Sequence, residues 1–412
     1  MYQSLVRVAK NEAHKYGAIA ANIRYGFPGR KMRIIGVTGT DGKTTTSHLI
    51  YHILKSAGKK VSIASTVFAD IAGMIGDTGL HFTTENHWIV QKNLAQAQKS
   101  GSEFFVLETT SHALHQHRVL GVQYEVAVLT NITPEHLDYH KTFDEYVRTK
   151  AKLLLNAKKA IINEDAEVYE KIKAILDKAH KKYITYSMVN NQAPIHWTDE
   201  IKTSIKETFN RENILAAYAC CKELGLSDEV IRKGIRTFTL PKGRLDKIYD
   251  EAFSVYIDFA HTPHSIAQLL KGLKTPRNTL IHVFGSAGLR DSVKRPEMGK
   301  SSGSCADISI ITEEDYRTED FMKISQMVSA GLYEKGFSYL EPDVLKERTF
   351  DGKVFTIIKN RQKAIEFAIE LAQKGDVVVL TGKGHEKSLA RGLKEYPWDE
   401  YKAAEKALLM KK

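Results

Sequence analysis

The residues best equipped for chemistry run Gly39-Thr40-Asp41-Gly42-Lys43-Thr44-Thr45-Thr46, directly after the short apolar run Arg33–Val37. A strand, a Gly-rich loop and a helix start, in that order, make a phosphate cradle. The glycines let backbone N–H groups close on phosphate oxygens, and the helix N-terminus adds partial positive charge. Lys43 reaches the terminal phosphates of a nucleotide, and the Thr44 hydroxyl is offered to Mg²⁺. Counted from Gly39 the loop is shorter than the usual GxxxxGK[ST], and Gly36 does not restore that spacing. The bland alternative is a turn that merely opens a helix; the strand–loop–helix setting argues against it. A second candidate is Glu108, a carboxylate leaving the end of the apolar run Phe104–Leu107. Beside a phosphate loop that position suits Mg²⁺ binding, whereas a solvated surface charge would not be expected after a buried strand. His136 and Lys150 carry no such signal alone: a lone His is more often structural, and Lys150 reads as one more helical lysine.

The elements that must position these residues follow from apolar patterning. From Met32 onward strand and helix alternate. Strands are expected at Arg33–Val37, Val61–Ser65, Phe104–Leu107, Val126–Leu129 and Ala160–Ile162, with helices at Thr44–Ala57 and His87–Ser100. Such alternation predicts a largely parallel sheet covered by helices. Pro241-Lys242-Gly243 is a turn-rich break. The alternation then restarts with strands at Ser254–Asp258, Thr279–Phe284, Ile308–Thr312, Val354–Ile357 and Val377–Thr381. The expected organisation is a helical extension over 1–31, a central ATP-binding α/β domain over 32–243 and a Rossmann-like α/β domain over 244–412. In the extension, Leu5, Val8, Ala9, Ala13, Tyr16, Ala20 and Ile23 recur at helical spacing. That stripe either docks on the next domain or lies on a membrane surface as a basic amphipathic helix. Gly26-Phe27-Pro28-Gly29 ends it.

Bulk composition bounds the partners. A chain of 412 residues is long for one core, so two domains are expected. Apolar residues make up 42% and charged residues 26%, which reads as globular. No apolar run approaches the roughly 20 residues of a membrane helix, and Arg7, Lys10, Glu12 and Lys15 interrupt any leader-like stretch. Cys220, Cys221 and Cys305 form no metal or disulfide pattern, and a cytoplasmic location fits. The formal net charge of +11 admits nucleic acid, an anionic membrane or small phosphorylated substrates. Lys and Arg are scattered and no nucleic-acid module is present, so phosphorylated substrates are favoured and nucleic acid is not expected.

Taken with further motifs in the same order, the chain resembles the Mur ligase family. The likeness is strongest to the branch that adds the third residue of the peptidoglycan stem peptide, and it covers roughly Tyr25 to Glu386. These motifs are Glu108–Leu114, Thr130–His140 with Asn131 and His136, Lys150 following Tyr146, Phe209–Ile214 with Asn213, Pro241–Asp246 with Arg244, and Asp258–Pro263 with His261. The resemblance implies that ATP and Mg²⁺ are bound by Gly39, Thr40, Asp41, Gly42, Lys43, Thr44, Thr45 and Asn131, with Asn213 at adenine. It also implies that Arg244 meets phosphate and that Asp258 and His261 lie near the ribose. Lys43, Glu108, His136 and Lys150 become the catalytic set. Thr44 and Glu108 hold one Mg²⁺, and His136 with a CO₂-carbamylated Lys150 lies near a second. Asp41 and Glu135 stand where relatives usually have Asn and Asp.

The same resemblance implies that Thr83, Thr84, Thr110, Ser111, Gln116 and Arg118 contact a muramoyl-peptide acceptor. Arg290, Glu314, Asp315, Arg317, Gly382 and Glu386 would read the incoming amino acid. Relatives that add meso-diaminopimelate carry Asp-Asn-Pro-Arg where this chain has Glu314-Asp315-Tyr316-Arg317. A guanidinium at 317 suits a carboxylate and Glu386 suits an ammonium, so meso-diaminopimelate is expected, with lysine next. About thirty residues precede the ATPase core, too few for a domain with its own core, whereas full-length relatives hold UDP there. The acceptor is therefore either UDP-linked or lipid-linked, the latter reached through peripheral membrane contact of residues 1–31. A monomer is expected. Rival readings are a ligase acting on folate or an amino-acid polymer, a P-loop ATPase without ligation, and a binding subunit without turnover.

Overall fold

The computed structural model describes residues 2–76, 83–348 and 351–411, with side chains from residue 11 onward. The polypeptide divides into two compact units, Met1–Thr239 and Leu240–Lys412.

The first unit opens with α1 (Tyr2–Tyr25), then β1 (Arg33–Thr38), α2 (Lys43–Ser56), β2 (Val61–Ala64), β3 (Ala69–Ile71) and β4 (Met74–Gly76). Next come α3 (His87–Lys99), β5 (Phe104–Glu108), α4 (Ser111–His115), β6 (Tyr124–Leu129), α5 (Leu137–His140) and α6 (Phe143–Asn156). It closes with β7 (Ala157–Asn163), α7 (Tyr169–Lys178), β8 (Tyr183–Ser187), β9 (Ile195–His196), α8 (Thr208–Glu223) and α9 (Asp228–Thr237). The described strands form one sheet in the order β4-β3-β2-β5-β1-β6-β7-β8-β9. It is parallel from β2 to β9, with β3 and β4 added antiparallel at one edge.

The central strands are rich in β-branched and aromatic residues and are buried on both faces, as helix-covered parallel strands must be. Register matters for chemistry. Val37 pairs with Glu108 and Thr38 with Leu129, so the loops leaving β1, β5 and β6 emerge side by side at the carboxyl ends of the strands. Open α/β sheets bind ligands at those ends. Helix starts are fixed locally: the Asn86 side chain accepts the Trp88 and Ile89 N–H groups, and Thr142 accepts the Glu145 N–H.

Helix α1 packs on the unit by a different face from the expected stripe. Ala18, Ala21 and Asn22 are buried, while Ala13, Tyr16, Ala20 and Ile23 are exposed; the side chains of Leu5, Val8 and Ala9 lie outside the described residues. The reason is close approach. A Cβ at Gly17 would come within 2.5 Å of His87 Nε2, and Asn22 Nδ2 donates to Leu120 O at 2.7 Å. Small residues let the helix sit this near, and counting bulky apolar positions misses them. No helix among the described residues is long and apolar enough to cross a membrane.

The second unit contains β10 (Asp246–Asp250), β11 (Ser254–Ile257), α10 (Pro263–Leu273), β12 (Leu280–Phe284), α11 (Lys294–Cys305) and β13 (Ile308–Ile311). It continues with α12 (Phe321–Tyr333), β14 (Ser338–Tyr339), α13 (Pro342–Lys346), β15 (Val354–Ile357), α14 (Arg361–Leu371) and β16 (Val377–Leu380). A hairpin, β17 (Ser388–Arg391) and β18 (Lys394–Pro397), and α15 (Glu400–Lys411) end it. The sheet order is β10-β11-β16-β12-β13-β15-β14, antiparallel only at β10. Alternate residues of one strand enter opposite cores: Val378 and Leu380 join one apolar cluster, Val377 and Val379 the other. This is period-two burial of a sheet covered on both faces. Both units are thus α/β with mostly parallel sheets, as expected. The edge strands β3, β4, β10 and β14 and the β17–β18 hairpin were not foreseen.

Candidate active site

In the first unit the loop Gly39–Gly42 is held by its neighbours from β6. Thr40 N donates to Asn131 O, and Asp41 N to Asn131 Oδ1, each at 2.9 Å. Thr130 Oγ1 donates to Asp41 O at 2.6 Å. Gly42, the residue before α2, has φ +80°, and a Cβ there would lie 2.2 Å from Asn213 Oδ1. A side chain is excluded on both counts, so α8, which carries Asn213, packs directly against the loop. Thr46 Oγ1 donates to the same Asn213 oxygen at 3.3 Å, and Thr45 is buried in the first turn of α2. Lys43 Nζ folds back onto Thr40 O at 2.6 Å.

Glu108, at the end of β5, is fully buried. Its Oε1 accepts from Thr44 Oγ1 at 3.0 Å and Thr66 Oγ1 at 2.9 Å, and its Oε2 from Thr66 N at 2.9 Å. Three donors justify burying the charge. Two hydroxyls and a carboxylate at the loop mouth are hard oxygen donors, which Mg²⁺ takes together with phosphate oxygens and water. The described residues therefore fit a phosphate-bound Mg²⁺, although no cluster of three or more His, Cys, Asp or Glu suited to a metal occurs among them.

Lys150, on α6, is 1% exposed and donates to Gly39 O at 2.5 Å. Burial, with the Lys43 charge nearby, holds its amine well below the ordinary lysine value, against the pull of Glu135 and Asp41. Lys150 Nζ also lies over the Tyr146 ring at 4.6 Å, and the Tyr146 hydroxyl meets Thr40 Oγ1 at 3.2 Å. His136 has φ +56°, a costly conformation for a non-glycine residue. It is half-exposed, with Nε2 3.5 Å from Glu135 Oε2. Thr44 and Glu108 thus meet directly, and Lys43 and Lys150 both touch the loop, at Thr40 O and Gly39 O.

The six expected acceptor residues also gather. Thr83 Oγ1 lies 3.0 Å from Thr66 Oγ1, whose own proton goes to Glu108. Thr84 Oγ1 donates to Glu108 O at 2.9 Å and accepts Thr110 N at 3.0 Å. Ser111 Oγ meets His140 Nε2 at 3.0 Å. Arg118 grips Gln116 Oε1 through Nε and Nη2, and Thr84 O through Nη1 at 2.6 Å. Burial raises the Glu85 carboxyl, with Arg118 partly opposing.

In the second unit, Asp258 follows β11, and its two oxygens accept Leu245 N at 2.6 Å and Ala260 N at 2.7 Å. Its carboxylate therefore shapes the turn. Arg244 lies over the Phe259 ring at 4.8 Å, and His261 Nδ1 meets Phe259 O at 2.9 Å. Asp315 is buried and accepts Lys383 Nζ at 2.9 Å and Ala390 N at 3.0 Å. Lys383 Nζ also donates to Glu386 Oε2 at 2.5 Å. Burial opposes its charge, but Glu386 and Asp315 outweigh that and hold the ammonium above the usual value. The Asp315 charge, absent where relatives carry Asn, is therefore compensated internally by Lys383. Arg317 Nη1 donates to Gly288 O at 2.9 Å and Asp315 O at 3.2 Å, and Arg290 is exposed. Glu314 is 9% exposed and its Oε2 has no hydrogen-bond partner. A Cβ at Gly382, which has φ +98°, would come within 2.7 Å of that oxygen. Burial, then the Asp315 charge, raises the Glu314 carboxyl.

Sequence reasoning missed Thr66 and Lys383 as site residues. A hydroxyl just past the end of β2 was the available signal for Thr66. Lys383 stands between Gly382 and Glu386, the two residues of its loop that were singled out, and its buried partner Asp315 is 68 positions away.

Comparison with known proteins assigns both units to one family. Residues 37–221 match the Mur ligase middle domain, and residues 243–384 match the Mur ligase, glutamate ligase domain. The chain is 35% identical to a UDP-N-acetylmuramoyl-L-alanyl-D-glutamate–2,6-diaminopimelate ligase of Trichormus variabilis, covering 98% of this chain and 82% of that protein. It is 34% identical to a UDP-N-acetylmuramyl-tripeptide synthetase of Deinococcus radiodurans, covering 95% and 81%. A solved structure of a UDP-N-acetylmuramoyl-L-alanyl-D-glutamate–2,6-diaminopimelate ligase aligns with a TM-score of 0.59 at 30% identity, over 92% of this chain and 78% of that one.

Proposed function

The chain belongs to the Mur ligase family of ATP-dependent amide-bond ligases, and on that premise we propose that it joins a diamino acid to a muramoyl-peptide carboxylate in peptidoglycan precursor synthesis. The observation that carries this reading is the buried Glu108 carboxylate, held by Thr44 and Thr66 at the mouth of the Lys43 loop.

The first-turn backbone amides of α2, Lys43 to Thr45, and the Lys43 ammonium bind the nucleotide phosphates. Mg²⁺, when bound at Thr44 and Glu108, neutralises charge on the phosphates. Thr84, Thr110, Ser111, Gln116 and Arg118 orient the acceptor so that a carboxylate oxygen attacks the γ-phosphorus in line and ADP leaves. Such transfers depend on positioning and fixed charge rather than on covalent help from the protein. The amine then attacks the acyl carbon of the acyl-phosphate, inorganic phosphate departs, and the nitrogen gives up its extra proton. The depressed basicity of Lys150 favours the neutral amine, the form that adds CO₂. The N–C bond forms, a proton is released, and the resulting carbamate places negative charge beside Gly39.

For the incoming amine, meso-diaminopimelate is the preferred substrate and lysine the second choice. Glu314 supports a diamino acid: a buried carboxylate oxygen without a donor gains one from a second ammonium. Arg317, at the position matched in meso-diaminopimelate-adding relatives, would meet a carboxylate. The test supplies the chain with Mg·ATP, UDP-N-acetylmuramoyl-L-alanyl-D-glutamate and a panel of amino acids, reading ADP release and product mass. Amine-independent ADP release, or product only with amino acids that lack a second amine, refutes the proposal.

A further inference from the structure

We infer that Asn11, on the N-terminal helix, is a positioning residue of the acceptor site that acts through His115 and Tyr139 on Gln116 and Arg118; this rests on the proposed acceptor role of the last two residues. A continuous polar chain carries the inference. Asn11 Nδ2 lies 3.0 Å from His115 Nδ1, and the Tyr139 hydroxyl lies 2.9 Å from the same nitrogen. Gln116 Nε2 donates to the Tyr139 oxygen at 3.1 Å. Gln116 Oε1 accepts Arg118 Nε and Nη2 at 3.0 and 2.7 Å. Arg118 Nη1 reaches Thr84 O, and Thr84 Oγ1 reaches Glu108 O. Residues 104 positions apart at one end are thereby linked to the strand end that carries the candidate metal ligand.

The chain has one polarity. An amide nitrogen only donates, so His115 Nδ1 acts as acceptor and the ring proton sits on Nε2, which faces Glu145 Oε1 at 3.9 Å. The single lone pair of Nδ1 is shared between the Asn11 amide and the Tyr139 O–H, and the phenol oxygen is left to accept Gln116 Nε2. The Gln116 amide is thereby oriented with its carbonyl toward Arg118. Helix α1 is held in register for this by Asn22 on Leu120 O and by Gly17 against His87. A helix that only covered apolar surface would need no amide at position 11.

The test compares the full chain with Asn11→Leu and Asn11→Asp, which both remove the donor and differ in polarity, and with Asn11→Gln, which keeps it. Ring ¹⁵N shifts of His115 report the tautomer without any acceptor present. A shifted Nδ1 resonance is expected in Asn11→Leu, where Tyr139 alone donates, a larger shift in Asn11→Asp, where a carboxylate draws the ring proton to Nδ1, and partial return in Asn11→Gln. With UDP-N-acetylmuramoyl-L-alanyl-D-glutamate, KM for that acceptor should rise roughly three- to tenfold in the first two variants, the scale of one lost neutral hydrogen bond. The kcat and the KM for ATP should stay within about twofold, since neither depends on that bond. An unchanged His115 spectrum, or equal changes in the KM for ATP and acceptor, overturns the inference. If the parent chain does not turn over this acceptor, the substrate proposal fails on its own, and the ring spectrum still decides the relay.

Discussion

Replacing Glu108 by Gln separates the chemistry of that carboxylate from its packing. The side chain is fully buried and accepts three hydrogen bonds, from Thr44 Oγ1, Thr66 Oγ1 and Thr66 N. A glutamine carbonyl can keep the Thr66 N–H, and both threonine hydroxyls can turn to accept from the new NH₂ group. Each bond then changes from charge-assisted to neutral, a loss of about 1 kcal/mol apiece, so stability should fall by about 1–3 kcal/mol. Turnover should suffer more. Removing one fixed group that stabilises a transferring charge costs about 10²–10³ in kcat, and the Mg²⁺ concentration needed for half activity should rise. The assay is ADP release against Mg²⁺ concentration, with urea unfolding of the same preparation. A folded Glu108→Gln variant within about tenfold of the parent kcat, at unchanged Mg²⁺ dependence, would refute the assignment of Glu108 as a metal ligand.

Lys150→Met should be more stable than the parent at neutral pH in bicarbonate-free buffer. The folded lysine value is depressed, so the unfolded parent binds a proton that the folded parent lacks, and parent stability rises with pH up to about 10.5. Urea midpoints across that range should show the gap closing; a pH-independent gap contradicts the account. Lys383→Met leaves the Asp315 and Glu386 carboxylates uncompensated and should cost about 3–5 kcal/mol while raising the KM for the amino acid; a loss under about 1 kcal/mol by denaturant titration argues otherwise. Glu319, hydrogen-bonded by buried Arg295, is lowered from 4.5 to about 2. Its contribution is complete above pH 4.5 and lost as pH falls toward 2, so Glu319→Gln should show a shallower acid-unfolding profile by circular dichroism.

The alternation of strand and helix was legible because central parallel strands are apolar on both faces. Val354–Ile357 is bounded as expected, and β5 runs only one residue further, taking in Glu108. Edge strands such as β3, β4 and β10 were not legible. They are short and half-solvated, so local composition carries little of their pairing. The phosphate loop could be read from spacing because its geometry depends on Gly42 and the start of α2. The partners of buried charges could not be read. Lys383 finds Asp315 across 68 positions and Asn11 finds His115 across 104, and only the fold brings such pairs together. The face by which α1 packs was misread for a related reason: Gly17, Ala18 and Ala21 matter through their smallness, which hydrophobic periodicity does not register.

Isotope transfer from the acceptor offers the most direct measurement. With acceptor carboxylate oxygens labelled with ¹⁸O and a diamino acid present, an acyl-phosphate route moves one labelled oxygen from the carboxylate into the phosphate released with each amide bond. Mass spectrometry of that phosphate should find the label in proportion to product. Phosphate that carries oxygen only from water, with both labelled oxygens left in the acceptor, would contradict carboxylate activation at the Lys43 loop.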